Sequence, residues 1–494
     1  MRFLLLSVLL MSTTLYAIDM VSLGERLFRE GRFSQHFYQQ SQGDVNHSLN
    51  EGSSDLEMID LFGVEQPSPF RGEAKSCASC HMSDEAQTIG SRIFNEFSAL
   101  SKIPLRTDKL THSLRNTPGF FGMGSKFAQN RTSHWDGEFF DHSETVLGNF
   151  TGRNMGWLGH ERRAAYKNIA KVIKKDDGTS ELAQKYGGSY QQNILDISGQ
   201  NVQKLNDSDV INIVVEAVTA FMNQQDFQKN EKGEYNGSPY DQFLIANGID
   251  TVPKNGETIF EYTGRVRLEL AALKSPQFIK KKFFKSHQKE FGFEQKEWEG
   301  LKVFFNITGT NSRGLCIACH TPPLFSDQFY YNIGSTQFEY EDIHGIGSFN
   351  QLAATLPSYQ DRGKKKYADR PTLADAQKVD LGLWNFFGRN KDVTKLIKQR
   401  LCRDPENCPN EKALPFMLAR VKTPGLRQLN LSAPYFHHGK LNTLREAVDH
   451  YRLVNEASRQ MDFVNLDPRM RNLRIGISDV RNLEAFLNAL NEEL

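Results

Sequence analysis

The sequence predicts a mainly α fold with irregular connections, on three observations. Apolar residues recur at helical spacing in several stretches, and strand signals are few and short. The one repeated feature is a pentapeptide, Cys-x-x-Cys-His, found as Cys77, Cys80 and His81 and again as Cys316, Cys319 and His320. A chain of 494 residues, 39% of them hydrophobic, can fill two or three packed domains, so a small stapled scaffold is excluded. Its 60 Lys and Arg against 59 Asp and Glu leave no broad basic field, so no nucleic-acid partner is expected, and there is no acidic tail.

Taken in order, residues 1–17 read as an export signal. Arg2 gives the positive start and residues 3–10 an apolar run too short to cross a bilayer of about 30 Å. Ala17 is the expected last residue removed. No Cys follows the cut, so a lipid anchor is not expected, and the mature chain should be periplasmic with no membrane span.

Residues 44–72 are polar and hold Pro67-Ser68-Pro69, which predicts an extended loop leading to the first motif. Val210, Ile213, Val214, Ala217, Val218 and Phe221 predict a helix over 209–221. The polar run 228–237 and the basic stretch opening at Lys280-Lys281-Lys282 bracket a domain boundary, which divides the chain into 18–290 and 291–494. Helical spacing resumes over 297–305, before the second motif, and Val480, Leu483, Phe486, Leu487 and Leu490 predict a closing amphipathic helix over 479–490.

The chemistry of the repeated motif explains its spacing. Two thiols form thioethers to the vinyl groups of one haem, and the adjacent His is thereby held under the iron. A thioredoxin-like redox pair or half of a zinc site would not need that His, and export to an oxidising compartment suits haem attachment better. Two covalent haem c groups are therefore expected. Cys402 and Cys408 flank a polar loop containing Pro405, which predicts a disulfide; a metal role is the alternative, although no His lies within the loop.

Combined with the two motifs, three further stretches resemble the bacterial di-haem cytochrome c peroxidase family, which includes the MauG-type enzymes. They are Arg115-Asn116-Thr117-Pro118-Gly119, His134-Trp135-Asp136-Gly137, and Lys422-Thr423-Pro424-Gly425-Leu426-Arg427 followed by Ala433-Pro434-Tyr435-Phe436-His437-His438-Gly439. The likeness runs from Cys77 to the end, interrupted by insertions near 248–290 and 355–415. It implies two cytochrome c-like helical domains facing each other, with the C-terminal tail folding back on the first.

The resemblance also implies roles. His81 would be the proximal ligand of an N-terminal haem that reacts with hydrogen peroxide, and His320 that of a C-terminal haem that relays electrons. Trp135 matches an indole lying between the haems; an ordinary core Trp is the competing reading. Counting on from the Phe-His-x-Gly element brings the relay haem's second ligand to Tyr451, the MauG-type choice, with His450 or Met461 as alternatives. A phenolate favours ferric iron, which suits oxidation of a partner protein. Asn154 stands where the family presents a distal Glu, and an amide cannot shuttle a proton near neutral pH. Glu144, Glu161 or His160 would have to serve instead. His112 resembles a His that caps the resting N-terminal iron, at a different offset. Asn116, Ser432 and Pro434 would offer oxygens to one Ca2+ between the domains. Arg427 would pair with a haem propionate or with a carboxylate in the domain interface.

The function expected from this is a periplasmic oxidoreductase using hydrogen peroxide. It would either draw electrons from a small cytochrome c or cupredoxin or oxidise a partner protein as MauG does. The alternative is a non-catalytic di-haem electron carrier with both irons six-coordinate.

Overall fold

The computed structural model describes residues 18–47, 58–61, 64–67, 76–81, 106, 108, 110, 115–128, 132–307, 312–363 and 367–493. The segment 1–17 and His112 lie outside the described residues. The architecture is mainly α, as expected.

In the first half, the helix Asp207–Gln224 begins where the Asn206 side chain accepts from Asp209 N, with Asp207 and Asp209 facing the positive end of the helix dipole. Its buried stripe, Val210, Val214, Ala217, Val218 and Phe221, packs against Met20–Phe28. The crossing is close because Gly24 has no side chain; a Cβ there would fall 2.0 Å from Ala217 O. His142–Phe150 and Arg162–Lys175 complete this core. Beside it lies a buried, charge-paired polar cluster: Arg26 and Arg32 both pair with Asp176, Arg32 also with Glu30, and Tyr190 Oη donates to Glu30 Oε2 at 2.9 Å.

The second half repeats the device. Gln295–Phe304 crosses Ile477–Asn488 at Gly300, where a Cβ would fall 1.9 Å from Asn482 O. Around this crossing lie Phe293, Leu301, Phe304 and Phe486. The helices Pro239–Ala246 and Ile259–Ala272 bring Tyr240, Phe243, Tyr262 and Leu270 into that same core. Residues on the N-terminal side of the expected 290/291 boundary thus contribute to both cores, up to Met222 in the first and from Tyr240 in the second. A further aromatic-rich core covers parts of 329–419, and the loop closed by the Cys402–Cys408 disulfide packs against it.

Among the described residues the strands form three two-stranded ribbons: Met58–Leu61 with Val64–Pro67, Ile279–Phe284 with Lys289–Phe293, and Tyr330–Tyr331 with Val421–Lys422. The first lies where an extended loop was expected, so polarity and prolines concealed a hairpin. No helix of the described residues is long and apolar enough to cross a membrane.

Candidate functional site

Each Cys-x-x-Cys-His folds as one tight turn. Cys80 N and His81 N both donate to Cys77 O at 3.1 Å, and Cys319 N and His320 N donate to Cys316 O at 3.2 and 2.8 Å. Cys77 and His81 line one large, mostly apolar cavity; Cys316, Cys319 and His320 line a second. Among the described residues, none of the four motif cysteines is in a disulfide.

The imidazoles are oriented alike. His320 Nδ1 lies 2.9 Å from Phe325 O and His81 Nδ1 lies 3.3 Å from Pro118 O. A carbonyl only accepts, so in each ring Nδ1 carries the proton and Nε2 carries the lone pair, the tautomer that ligates iron. Apolar walls and an oriented imidazole in both cavities, with Cys316 and Cys319 lining the second and Cys77 but not Cys80 lining the first, fit a covalently held haem in each.

The cavities share a wall made by Trp135, Lys422, Thr423, Pro424, Leu429 and the Tyr435-Phe436 pair. Trp135 is 8% exposed and lines both. Its Nε1 donates to Asn116 O at 2.8 Å and its carbonyl accepts from Lys422 N at 2.9 Å. The next residue, Asp136, is held by Arg115, which also pairs with Asp380. His437 meets the indole edge-to-face at 6.5 Å between centroids, and burial pushes its imidazole down to about 4, so it is neutral near pH 7.

Of the three sequence alternatives for the second haem's other ligand, only Tyr451 lines the second cavity. It projects from Leu444–Ala457, a helix started by a Thr443–Glu446 capping box. Burial pushes its phenol up, so the anionic form needs a nearby cation such as ferric iron. His450 points elsewhere, its Nε2 3.0 Å from Ile333 O, and Met461, which packs against the same Phe463 and Leu473 cluster as Tyr451, does not line the cavity.

The distal candidates fare differently. Asn154 does not line the first cavity; its Nδ2 donates to Asn149 Oδ1 at 2.7 Å, and it is Asn149 that does. Glu144 is exposed, its carboxylate accepting from Phe140 N and Asn390 Nδ2, both at 2.9 Å. Glu161 is held by Arg106 and by Leu158 N, and His160 is exposed. The polar groups that face the cavity from this segment are His142, Thr145 and Asn149, one face of the helix His142–Phe150. Sequence reasoning missed them, although their spacing of three and four is a helical signal. His142 Nδ1 lies 3.0 Å from Asn223 Oδ1.

Two further residues have defined surroundings. Arg427 makes a buried two-pronged pair with Asp241, at 2.7 and 2.9 Å, and donates to Pro323 O; both partners lie in the second half of the chain. Asn116 Nδ2 donates to Pro434 O at 2.5 Å and Phe436 O at 3.1 Å, while its Oδ1 is a buried oxygen with no hydrogen-bond partner. An orphaned amide oxygen beside carbonyl oxygens is hard-donor chemistry that fits Ca2+. Ser432 and Pro434 lie on the first cavity's wall, with the Ser432 hydroxyl donating to Leu429 O.

No family model matches the chain. It is 27% identical over 239 residues to the cytochrome-c peroxidase IdrP2 of Denitromonas iodatirespirans, covering 48% of this chain and 50% of that protein. It is 35% identical over 72 residues to the methylamine utilization protein MauG of Methylorubrum extorquens, covering 15% and 19%. The chain thus spans about half the length of the first relative and less of the second. Among solved structures, the diheme peroxidase BthA of Burkholderia thailandensis aligns at 17% identity and TM-score 0.48, covering 97% of this chain and 87% of that one. The chain is thus similar, over part of its length, to cytochrome-c peroxidases and to MauG.

Proposed function

We propose that the protein is an exported, periplasmic di-haem c-type peroxidase with MauG-like ligation of its second haem. The observation that carries this reading is that Trp135 belongs to the walls of both motif-bearing cavities.

Cys77, Cys80 and His81 would hold one haem, and Cys316, Cys319, His320 and Tyr451 the other. When bound, the haems supply the iron that reduces peroxide and stores two oxidising equivalents. The chain's residues do the rest. Thr145 and Asn149 offer hydrogen bonds to a small oxygen ligand in the first cavity, and His142 offers an imidazole for proton movement. Trp135 places an indole where electrons pass between the cavities, and its hydrogen bond to Asn116 O fixes the ring. Asn116 with the Pro434 and Ser432 segment would hold Ca2+ beside that wall. Tyr451 in the second cavity favours oxidation of a partner protein over draining electrons from a small cytochrome c or cupredoxin, because an anionic oxygen ligand stabilises the oxidised iron.

The test is a pyridine haemochrome assay followed by low-temperature EPR of the ferric protein before and after peroxide. The expected result is two c-type haems per chain, one high-spin and one low-spin signal, and a response to peroxide. Fewer than two haems would overturn the reading. Two low-spin signals that ignore peroxide, even after one-electron reduction, would leave the non-catalytic carrier.

A further inference from the structure

Tyr331 closes the short strand Tyr330–Tyr331, which pairs with Val421–Lys422 in the wall shared by the two cavities. Its side chain lines the second cavity and is 5% exposed. The phenol donates to Asp327 Oδ2 at 2.6 Å, and Asp327 is 1% exposed. The same carboxylate accepts from Phe329 N at 3.0 Å and pairs with Arg400, whose Nη2 lies 3.0 Å from the Tyr331 oxygen. Arg469 stacks 4.8 Å from the ring centroid and reaches Cys319 Sγ at 2.8 Å.

This is more than a tyrosine needs for packing. A buried phenol is satisfied by any neutral acceptor, whereas a buried carboxylate carries a desolvation cost that Arg400 has to offset. Burial, with Asp327 beside it, pushes the phenol's pKa up, so Tyr331 is protonated at ordinary pH. A neutral phenol is hard to oxidise unless its proton leaves with the electron, and here a base is already hydrogen-bonded to it. The arrangement also reaches solvent in one step: Arg400 is 32% exposed at its side chain and lies over Phe329 at 4.2 Å and Phe260 at 5.9 Å, the last 53% exposed.

We propose that Tyr331 is a redox-active relay that carries oxidising equivalents from the second cavity to the surface at Arg400 and Phe260. Tyr331 gives one electron to the oxidised c-type haem of the second cavity as its proton moves to Asp327. The phenolic O–H bond breaks, an O–H bond forms on Asp327 Oδ2, the tyrosine is oxidised by one electron and the haem iron is reduced by one. Hydrogen peroxide is the oxidant; two electrons and two protons turn it into two waters, so each peroxide drives two such events. A reductant at the Arg400 surface, such as an oxidisable side chain of a partner protein, returns the electron, and Asp327 returns the proton. The relay rests on the peroxide reading above.

The test is freeze-quench EPR of the haem-loaded protein after peroxide, in the unaltered chain grown with ring-deuterated tyrosine and in Tyr331→Phe and Asp327→Asn. An organic radical that narrows on deuteration, disappears in Tyr331→Phe and loses most of its yield in Asp327→Asn is the expected result. The Tyr331→Phe protein should keep two haems and its resting haem EPR. Haem signals that respond to peroxide with a radical insensitive to deuteration, or unchanged in Tyr331→Phe, overturn the relay alone. Haem signals that ignore peroxide overturn the peroxide reading and the relay with it.

Discussion

The Arg427–Asp241 pair joins the shared wall to the helix Pro239–Ala246, and Asp241→Asn tests how much it holds. Both side chains are 0% exposed. Arg427 makes two charge-assisted bonds to the carboxylate and one, at 2.7 Å, to Pro323 O. The amide keeps the volume but removes the charge and turns two donors toward the guanidinium. One charge-assisted bond contributes about 1.5–3 kcal/mol, and breaking a buried pair costs about 3–5 kcal/mol because a cation is left uncompensated. The Glu492 carboxylate also acts on Arg427, which sets the expected loss near the lower end, about 3 kcal/mol. Equilibrium urea unfolding, followed by Soret absorbance and tryptophan fluorescence, measures it. Glu484→Gln, which breaks the partly exposed Arg445–Glu484 pair, should cost less than about 1 kcal/mol in the same assay. Asp241→Leu combined with Arg427→Met should recover most of the loss. An Asp241→Asn protein as stable as Glu484→Gln would refute the reasoning.

Three other outcomes follow from the same physics. Tyr451→Phe should shift or abolish the low-spin EPR signal while His450→Gln and Met461→Leu leave its g-values in place; a signal that moves only with one of the latter two would reassign the ligand. Cys402→Ser opens a loop with a sequence separation of 6, and the loop-closure term predicts a loss of roughly 2 kcal/mol, read as a lower urea midpoint. Glu339 is buried, and desolvation lifts its carboxyl from 4.5 to about 7. A raised carboxyl stabilises the fold while protonated, so this contribution is full below pH 4.5 and is lost as pH rises through about 7. Glu339→Gln should flatten that decline by roughly 1–3 kcal/mol, and a variant whose stability falls as steeply as the unaltered chain over this range would contradict the assignment.

What could be read from the sequence is what contiguous residues decide. Haem attachment needs its thiols and imidazole within five positions, so both motifs are visible, and the two cavities lie against them. The helix over 209–221 and the closing helix announce themselves by local periodicity. Long-range choices are hidden. Nothing near Arg427 indicates that its partner is Asp241, and the amphipathic faces of Pro239–Ala246 and Ile259–Ala272 do not say which half they will cover. The distal segment failed for a related reason: register carried over from a family pattern singled out Asn154, whereas the helix His142–Phe150 turns Thr145 and Asn149 inward and leaves Glu144 in solvent.

Trp135 is tied through its indole N–H to Asn116 in the first half and through its own carbonyl to Lys422 in a ribbon of the second, while Lys422 Nζ reaches back to Thr132 O. The residue that lines both cavities is thus also a mechanical rivet. Any slippage of one half over the other must strain that fastening before it changes anything else, so alignment of the two cavities and the integrity of the wall between them stand or fall as a single property.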